Sequence, residues 1–309
     1  MRILVTGAGG FVGSALIPRL EAAGHEVRAF ARSAQRARAA GVDVEVVEGD
    51  AVTGAGLDRA LAGVEVAYFL IHSMESAAEG DGGFVVRDRL AAERFAAAAR
   101  RAGVRRVIYL GGLLPDRRRP SAHLASRAEV ERLVLEGAPE GLALRASIIV
   151  AARSRSFRFL VRLVERMPLI PLPAWRRFRT APIDGRDVLA MLAAAATSPA
   201  IDRTMSLDVG GPEVVTYEEL IDRIREALLV GRPPVRLGFN LTPVVSRVAA
   251  AIAGEDHALI GPLMEGLDGD LLPAEDRAAE LLGVRLHSLD AAIEHALREW
   301  ESTEPLAAR

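Results

Sequence analysis

Three glycines at fixed spacing are the first residues of this sequence whose type and placement suit chemistry. Gly7, Gly10 and Gly13 lie in Thr6-Gly7-Ala8-Gly9-Gly10-Phe11-Val12-Gly13, a G-x-x-G-x-x-G pattern. Between a strand and a helix such a turn cradles phosphates. One glycine permits the tight turn, another lets the backbone approach the phosphate oxygens, and the third lets helix and strand pack closely. The amides of Gly9, Gly10, Phe11 and Val12 then face the anion together with the positive end of the helix dipole. A glycine triplet alone also fits a purely structural turn. Here a strand precedes it, a helix follows, and a second strand comes about 20 residues on, which is the context of a dinucleotide site.

The end of that second strand bears on which dinucleotide. It reads Val27-Arg28-Ala29-Phe30-Ala31-Arg32-Ser33. A site for NAD(H) usually places an acid there to accept from the ribose 2′-hydroxyl. This chain has Arg32 with Ser33 beside it, and a planar guanidinium fork suits a 2′-phosphate. NADP(H) is therefore the expected ligand, with NAD(H) a lesser possibility. Arg28 is a weaker candidate because alternation points it elsewhere, and the bland account of Arg32 is a solvated strand end. Gly49-Asp50-Ala51 closes the third strand. Asp50 there either accepts from the adenine amino group, with the Ala51 amide beside it, or caps a helix.

Positioning these residues needs alternating strands and helices. Apolar runs fall at Arg2 to Val5, Glu26 to Ala31, Val44 to Val47, Val66 to Ile71, Arg106 to Leu110 and Leu142 to Val150. Periodic stretches fall at Ser14 to Ala23, Leu57 to Leu61, Phe84 to Ala102 and Ala122 to Leu135. This alternation predicts an α/β, Rossmann-type doubly wound parallel sheet, with strands apolar throughout because both faces are covered. Gly24 and Gly103 stand where left-handed helix ends belong. The pattern loosens after residue 150, so residues 1–150 are expected to form the dinucleotide-binding domain. Residues 151–309 are expected to form a smaller, mainly helical lobe packed on the sheet. Within that lobe Thr216 and Glu219 make a capping box for a helix over Tyr217 to Leu229. Val244 to Ala253 predicts a buried helix, and Leu289 to Trp300 a final one.

Composition narrows the function classes. The 309 residues are half hydrophobic, with a formal net charge of -2, which implies no nucleic-acid partner. There is no cysteine, which removes disulfides, thiolate nucleophiles and cysteine metal sites. No histidine spacing suits a metal. All 39 basic residues are arginine, so no mechanism here uses lysine. Neither a signal peptide nor a membrane-length apolar run is visible, and a cytoplasmic location is expected.

Taken together, these residues resemble the atypical, NmrA-like branch of the short-chain dehydrogenase/reductase superfamily. The glycine turn, Arg32, Gly49-Asp50 and Ala102-Gly103-Val104-Arg105-Arg106-Val107-Ile108-Tyr109 carry that resemblance. Leu70-Ile71-His72-Ser73-Met74, Tyr109-Leu110-Gly111-Gly112-Leu113 and Ser121 to Glu131 are similar to a bacterial group of NAD(P)H-binding proteins, the YbjT-like proteins. The resemblance implies a cofactor site that also takes in Leu70, Ile71 and Gly111. It implies a small-molecule pocket at the sheet's carboxyl edge, lined by His72, Ser73, Gly112, Leu113, His123 and Ser147.

Typical superfamily members use a Tyr-x-x-x-Lys pair and a nearby Ser or Thr. This chain has no lysine, and the expected hydroxyl position reads Leu110-Gly111-Gly112. His123 and Arg127 stand at the tyrosine and lysine positions, on one helix face by their i, i+4 spacing. Arg127 can donate to ribose hydroxyls but stays charged, so it relays no proton. His123 suits a general acid, or the pair is a remnant that only contacts cofactor. Two functions follow: an NADP-dependent oxidoreductase on a small carbonyl or alkene substrate, or a non-catalytic NADP-binding sensor or assembly protein. Arg155, Arg158, Arg162 and Arg166 lie at helical spacing opposite Leu160, Leu163, Val164 and Met167. A solvated amphipathic helix accounts for that stripe better than contact with an anionic membrane surface does. The sequence leaves the oligomeric state open.

Overall fold

The apolar runs become strands of one parallel sheet. The computed structural model describes residues 1–72, 83–115, 122–167, 169–237 and 269–306. The first six sheet strands are β1 (Arg2–Thr6), β2 (Glu26–Ala31), β3 (Glu45–Glu48), β4 (Val66–Phe69), β5 (Arg106–Gly112) and β6 (Glu140–Ala146). Four short strands follow outside the sheet: β7 (Ile149–Val150), β8 (Ile170–Leu172), β9 (Arg179–Thr180) and β10 (Ile183–Asp184). The sheet's seventh strand is β11 (Met205–Val209), and β12 (Val215–Thr216) and β13 (Pro234–Arg236) pair with β9 and β8. The spatial order is β11-β6-β5-β4-β1-β2-β3, with every neighbouring pair parallel. Strand order therefore reverses between β1 and β4, and ligands of such sheets bind outside the carboxyl ends at that switch point.

Consecutive strand residues bury on opposite faces. Ile3 and Val5 join α1 (Phe11–Ala22) and α7 (Gly185–Ala195) in one core with Leu16, Leu20, Leu189 and Leu192. Leu4 joins Phe95 of α4 (Gly83–Ala102) and Val134 of α5 (Ala122–Leu135) in the other. Between them, α2 (Ala34–Ala39) and α3 (Leu57–Leu61) complete the connections of the first half. Gly24 and Gly103 take φ of +80° and +70°, as their helix-end positions require.

Several boundaries differ from expectation. Helix α1 begins at Phe11, three residues early, because Gly10 is its amino-terminal cap. Helix α2 has too few apolar residues to give a periodic signal. The run from Leu142 to Val150 is broken after Ala146. There the Ser147 amide still donates to the Val209 carbonyl of β11 (2.9 Å), but the Ile148 carbonyl accepts from Ile183 N–H (2.9 Å), outside the sheet. The boundary expected at residue 150 cuts the sheet, since β11 comes from the carboxyl-terminal half and pairs with β6 along five residues. Buried Arg106 at the start of β5 fastens the halves together, donating to the Ala195 (2.6 Å), Ala196 (3.1 Å) and Ile201 (2.7 Å) carbonyls and to Glu140.

A separate apolar cluster builds the carboxyl-terminal lobe. It joins Phe157 and Leu160 of α6 (Arg155–Arg166), Leu220 and Ile221 of α8 (Tyr217–Ala227), and Ile293 and Trp300 of the last helix. That helix spans Leu289–Glu301, after a short turn of helix at Ala278–Leu281. The capping box is present: Thr216 Oγ1 accepts from Glu219 N–H (3.1 Å) and Glu219 accepts from Thr216 N–H (2.7 Å). The arginine stripe of α6 is not simply solvated. Arg162 is buried, ion-paired to Glu165 (2.5 Å) and Glu304, and stacks with Arg158 on Trp300, their guanidinium carbons 4.7 and 4.3 Å from its indole ring centre. Aromatic stacking and charge pairing recruit Arg158 and Arg162 into the lobe, while Arg155 and Arg166 are exposed. Val244 to Ala253 lies outside the described residues. Among the described residues no helix is long and apolar enough to cross a membrane.

Candidate functional site

At the switch point, Thr6 stitches β1 to β4. Its buried hydroxyl donates to the Tyr68 carbonyl (2.9 Å) and accepts from Leu70 N–H (3.2 Å). Gly7 then turns with φ +64°, and a Cβ on it would lie 2.6 Å from the Leu70 carbonyl oxygen. Gly10 N–H donates to the Gly7 carbonyl (2.9 Å), closing the turn. A Cβ on Gly13 would meet the Gly7 carbonyl at 2.5 Å, so α1 presses on the turn at a distance only glycine allows. Gly9 is different: its Cβ would meet only Ala37 Cα at 3.8 Å, leaving room beside the exposed backbone. Phe11 and Val12 open the helix, their amides at its free amino end.

On the adenosine side, Arg32 is exposed and has no hydrogen-bond or ion-pair partner among the described residues. Ser33 caps α2, its hydroxyl accepting from Arg36 N–H (3.3 Å). Glu48 escaped the sequence reading: its Oε1 accepts from Ala34 N–H (2.7 Å), placing a carboxylate at the start of α2 near Arg32. Arg28 is committed elsewhere, to Glu45 (2.8 Å) and to the Ala60 and Ala62 carbonyls (both 3.1 Å). Asp50 Oδ1 accepts from Val52 N–H (2.7 Å), forming a side-chain turn rather than a helix cap. Ala51 beside it is buried.

At the ends of β4 and β5, Arg127 of α5 reaches the sheet edge. Its Nη2 donates to the Leu110 carbonyl (2.7 Å) and its guanidinium lies 4.9 Å from the Tyr109 ring centre. Its Nη1 is buried with no hydrogen-bond partner. An orphaned charged donor of this kind is costly unless a ligand completes it. Gly111 is dictated by packing, since a Cβ there would lie 2.8 Å from Tyr109. Gly112 is more open, its nearest neighbours at 4.0 Å. Tyr109 itself is fully buried, its hydroxyl donates to the Arg127 carbonyl (3.3 Å), and burial pushes its pKa up to about 12.

His72 follows β4 and is exposed, with half-buried Ile71 before it, and its Nδ1 lies 3.2 Å from Asp88 Oδ2 on α4. A carboxylate partner makes Nδ1 the protonated nitrogen, which leaves the lone pair on Nε2. Desolvation, followed by the Arg127 guanidinium, holds the His72 pKa below the ordinary histidine value, while Asp88 opposes them. The imidazole nevertheless keeps 34% of its side chain exposed, so that desolvation is partial. No spacing in the sequence foretold Asp88 as its partner.

Other expected pocket residues are placed differently. Leu113 is fully buried and its side chain belongs to the core. The Ser147 hydroxyl is taken by Thr180 Oγ1 (3.1 Å), where it holds the end of β6. Ser73 lies outside the described residues. His123 is on α5, four residues before Arg127 as expected, but its side chain lies outside what is described. Among the described residues no cluster of His, Asp and Glu could hold a metal ion.

Residues 7–140 match an NAD(P)H-binding family. The chain is also 33% identical over 237 residues to a (4-alkanoyl-5-oxo-2,5-dihydrofuran-3-yl)methyl phosphate reductase of Streptomyces griseus, covering 75% of this chain and 74% of that one. The chain belongs to the NAD(P)H-binding family. This fits the atypical short-chain dehydrogenase/reductase group that its sequence resembles. It is 26% identical over 160 residues to a mitochondrial NADH dehydrogenase [ubiquinone] 1 alpha subcomplex subunit 9 of Arabidopsis thaliana, spanning 52% of this chain but only 39% of that protein. Its fold matches a short-chain dehydrogenase/reductase superfamily protein of Agrobacterium tumefaciens with bound NAD, at TM-score 0.71 and 21% identity, covering 98% and 96% of the two chains. The site suits the family's ligand: glycines that a Cβ would obstruct, an unpaired Arg32, and a buried donor on Arg127 awaiting an acceptor.

Proposed function

We propose that this protein is an NADP(H)-dependent reductase of a small carbonyl or conjugated-alkene substrate. The observation that carries the reading is the orphaned Nη1 of Arg127 beside the His72–Asp88 pair, at the sheet edge just past the glycine cradle. The Streptomyces relative supports it, because the substrate in its name contains a ring alkene conjugated to carbonyl groups.

In this reading the amides of Gly9 to Val12 hold the diphosphate, and Arg32 with Ser33 meets the 2′-phosphate. Glu48 works against that preference, and NAD(H) is the lesser ligand. Asp50 and Ala51 receive the adenine, while Leu70, Ile71 and Gly111 line the path of the chain. Arg127 Nη1 donates to ribose hydroxyls. The reduced nicotinamide, when bound, supplies a hydride. The matching proton comes from His72, which takes it from solvent on Nε2 and passes it to the substrate while Asp88 orients the ring and steadies the imidazolium. His123 is the competing donor, and Gly112 leaves the substrate room.

Purified protein mixed with NADPH and a panel of enones, aldehydes and butenolides should consume the reduced-nicotinamide absorbance with at least one substrate. His72→Ala should lower turnover at least about 100-fold, the ordinary weight of a general acid, while His123→Ala should not. The opposite order transfers the role to His123. Tight NADPH binding with a flat trace across the panel favours the second reading, a non-catalytic NADP(H)-binding protein. The chain's lack of lysine and the buried Tyr109 favour that alternative.

A further inference from the structure

Arg153 has no place in the site described so far, yet it touches it. It lies in the turn between β7 and α6, where the Ser154 amide donates to the Ala151 carbonyl (3.0 Å). Ala151, Ala152 and Ser154 are buried, and Arg153 alone projects from the turn. Its Nη1 donates to Ser14 Oγ at 3.0 Å. Ser14 is in the first turn of α1 and its hydroxyl donates in turn to the Gly10 carbonyl (2.8 Å). The guanidinium thus hangs over the amino end of the cradle helix, brought there from 139 residues away.

This is an unfavourable place for a cation. The amino end of a helix carries the positive half of its dipole, and it attracts anions. Among the described residues no carboxylate lies within ion-pair range of Arg153, and Ser14 is its one hydrogen-bond partner. Four of its five N–H donors are therefore unanswered by described protein groups. A cation and a helix amino terminus aimed at the same spot become mutually favourable only when an anion lies between them.

We propose that Arg153 is a diphosphate-binding residue, which closes from Ser14 onto the dinucleotide and so ties the carboxyl-terminal lobe to cofactor occupancy. The inference rests on the NAD(P)(H)-binding reading above. Arg153 stands two residues before Arg155, where α6 begins, and α6 is a main element of the lobe's apolar cluster. Binding the diphosphate therefore fixes the segment that leads into the substrate side of the protein.

The test is a set of titrations on the full chain. Arg153→Ala should raise the Kd of NADPH, NADH and ADP-ribose by the same factor, about tenfold or more, as expected for a lost charge-assisted contact to phosphate. It should leave competition by adenosine 2′-monophosphate, which has no diphosphate, unchanged. Arg153→Lys should recover part of the loss, because lysine keeps the charge without the fork. NADPH should slow amide exchange over residues 155–166 in the wild type and not in Arg153→Ala. An unaltered thermal midpoint of the unliganded variant certifies its fold, and Arg153→Gln replaces it if that midpoint falls. Unchanged dinucleotide affinity in the variants, or an equal loss for adenosine 2′-monophosphate, overturns the proposal while the cofactor reading stands. Failure of the wild type to bind any of the four ligands overturns both.

Discussion

Substituting Gly13 by alanine tests the cradle through its tightest contact. The added Cβ would sit 2.5 Å from the Gly7 carbonyl and 2.9 Å from Ala8 Cα, both backbone atoms that cannot swing aside. Ordinary contact begins near 3.4 Å, so α1 must retreat by 3.4 minus 2.5, about 0.9 Å, or the turn must open. Overpacking of this kind costs roughly 1–3 kcal/mol. At about 2–4 °C per kcal/mol for a larger chain, the thermal midpoint of unliganded Gly13→Ala should drop by about 2–12 °C. The same retreat carries the Phe11 and Val12 amides away from the sheet edge. A hydrogen bond of about 2.9 Å stretched by that much is lost, so nucleotide affinity should fall by about tenfold or more. Gly9→Ala gives the contrast, since its Cβ has open space in the protein itself. That variant should melt like wild type and still bind dinucleotide more weakly, because the space it fills is the ligand's. Scanning fluorimetry without ligand and calorimetry with NADPH separate the two effects. A Gly13→Ala protein that melts and binds like wild type would refute the packing argument. A Gly9→Ala protein that binds unimpaired would refute the placement of the diphosphate.

Arg32→Ala should weaken NADPH binding at least about fivefold while sparing NADH, and Glu48→Gln should shift preference towards NADPH; parallel titrations of both nucleotides check this, with each charged contact taken as about 1 kcal/mol. Asp88→Asn removes the group that opposes the depression of the His72 pKa, so the alkaline limb of any pH–rate profile set by His72 as proton donor should move to lower pH. The linked stability effect has a definite sign. A histidine held below its unfolded value binds fewer protons when folded, so stability falls as pH drops from the ordinary histidine value to the folded one. Asp88→Asn should widen that window downwards, which thermal midpoints measured across acid pH will show. Trp300→Ala should destabilise by about 3–5 kcal/mol, the usual loss for a large buried aromatic, and expose the last helix to limited proteolysis, since Arg158 and Arg162 lose the ring they stack on.

The sheet was legible because its strands are apolar along their whole length and its helices carry their own punctuation. Gly24, Gly103 and the Thr216–Glu219 box each mark a boundary through local backbone chemistry, and local chemistry is what one sequence displays. The cradle was legible for the same reason: its three glycines fall within seven residues, and Gly10 and Gly13 both pack against the Gly7 carbonyl. What failed to show was long-range. Arg106 and Arg153 find acceptors 34 to 139 positions away, and Asp88 meets His72 across 16. In a chain whose every cation is arginine, residue type alone cannot separate a buried fastener such as Arg162 from an uncommitted Arg32. The burial of Leu113 and the Ser147–Thr180 contact were likewise hidden, because a strand end looks alike whether its side chain turns to solvent or to the core.

The seventh strand has a consequence for how the protein is made. Because β11 covers the flank of β6, the amino-terminal portion leaving the ribosome carries an unpaired, largely apolar β6 until residue 209 has emerged. An exposed edge of that kind is a template for intermolecular pairing. Nascent chains arrested before β11, or shortened proteins ending near residue 150, should accumulate as chaperone-bound or insoluble species, whereas chains long enough to supply β11 should pass into solution.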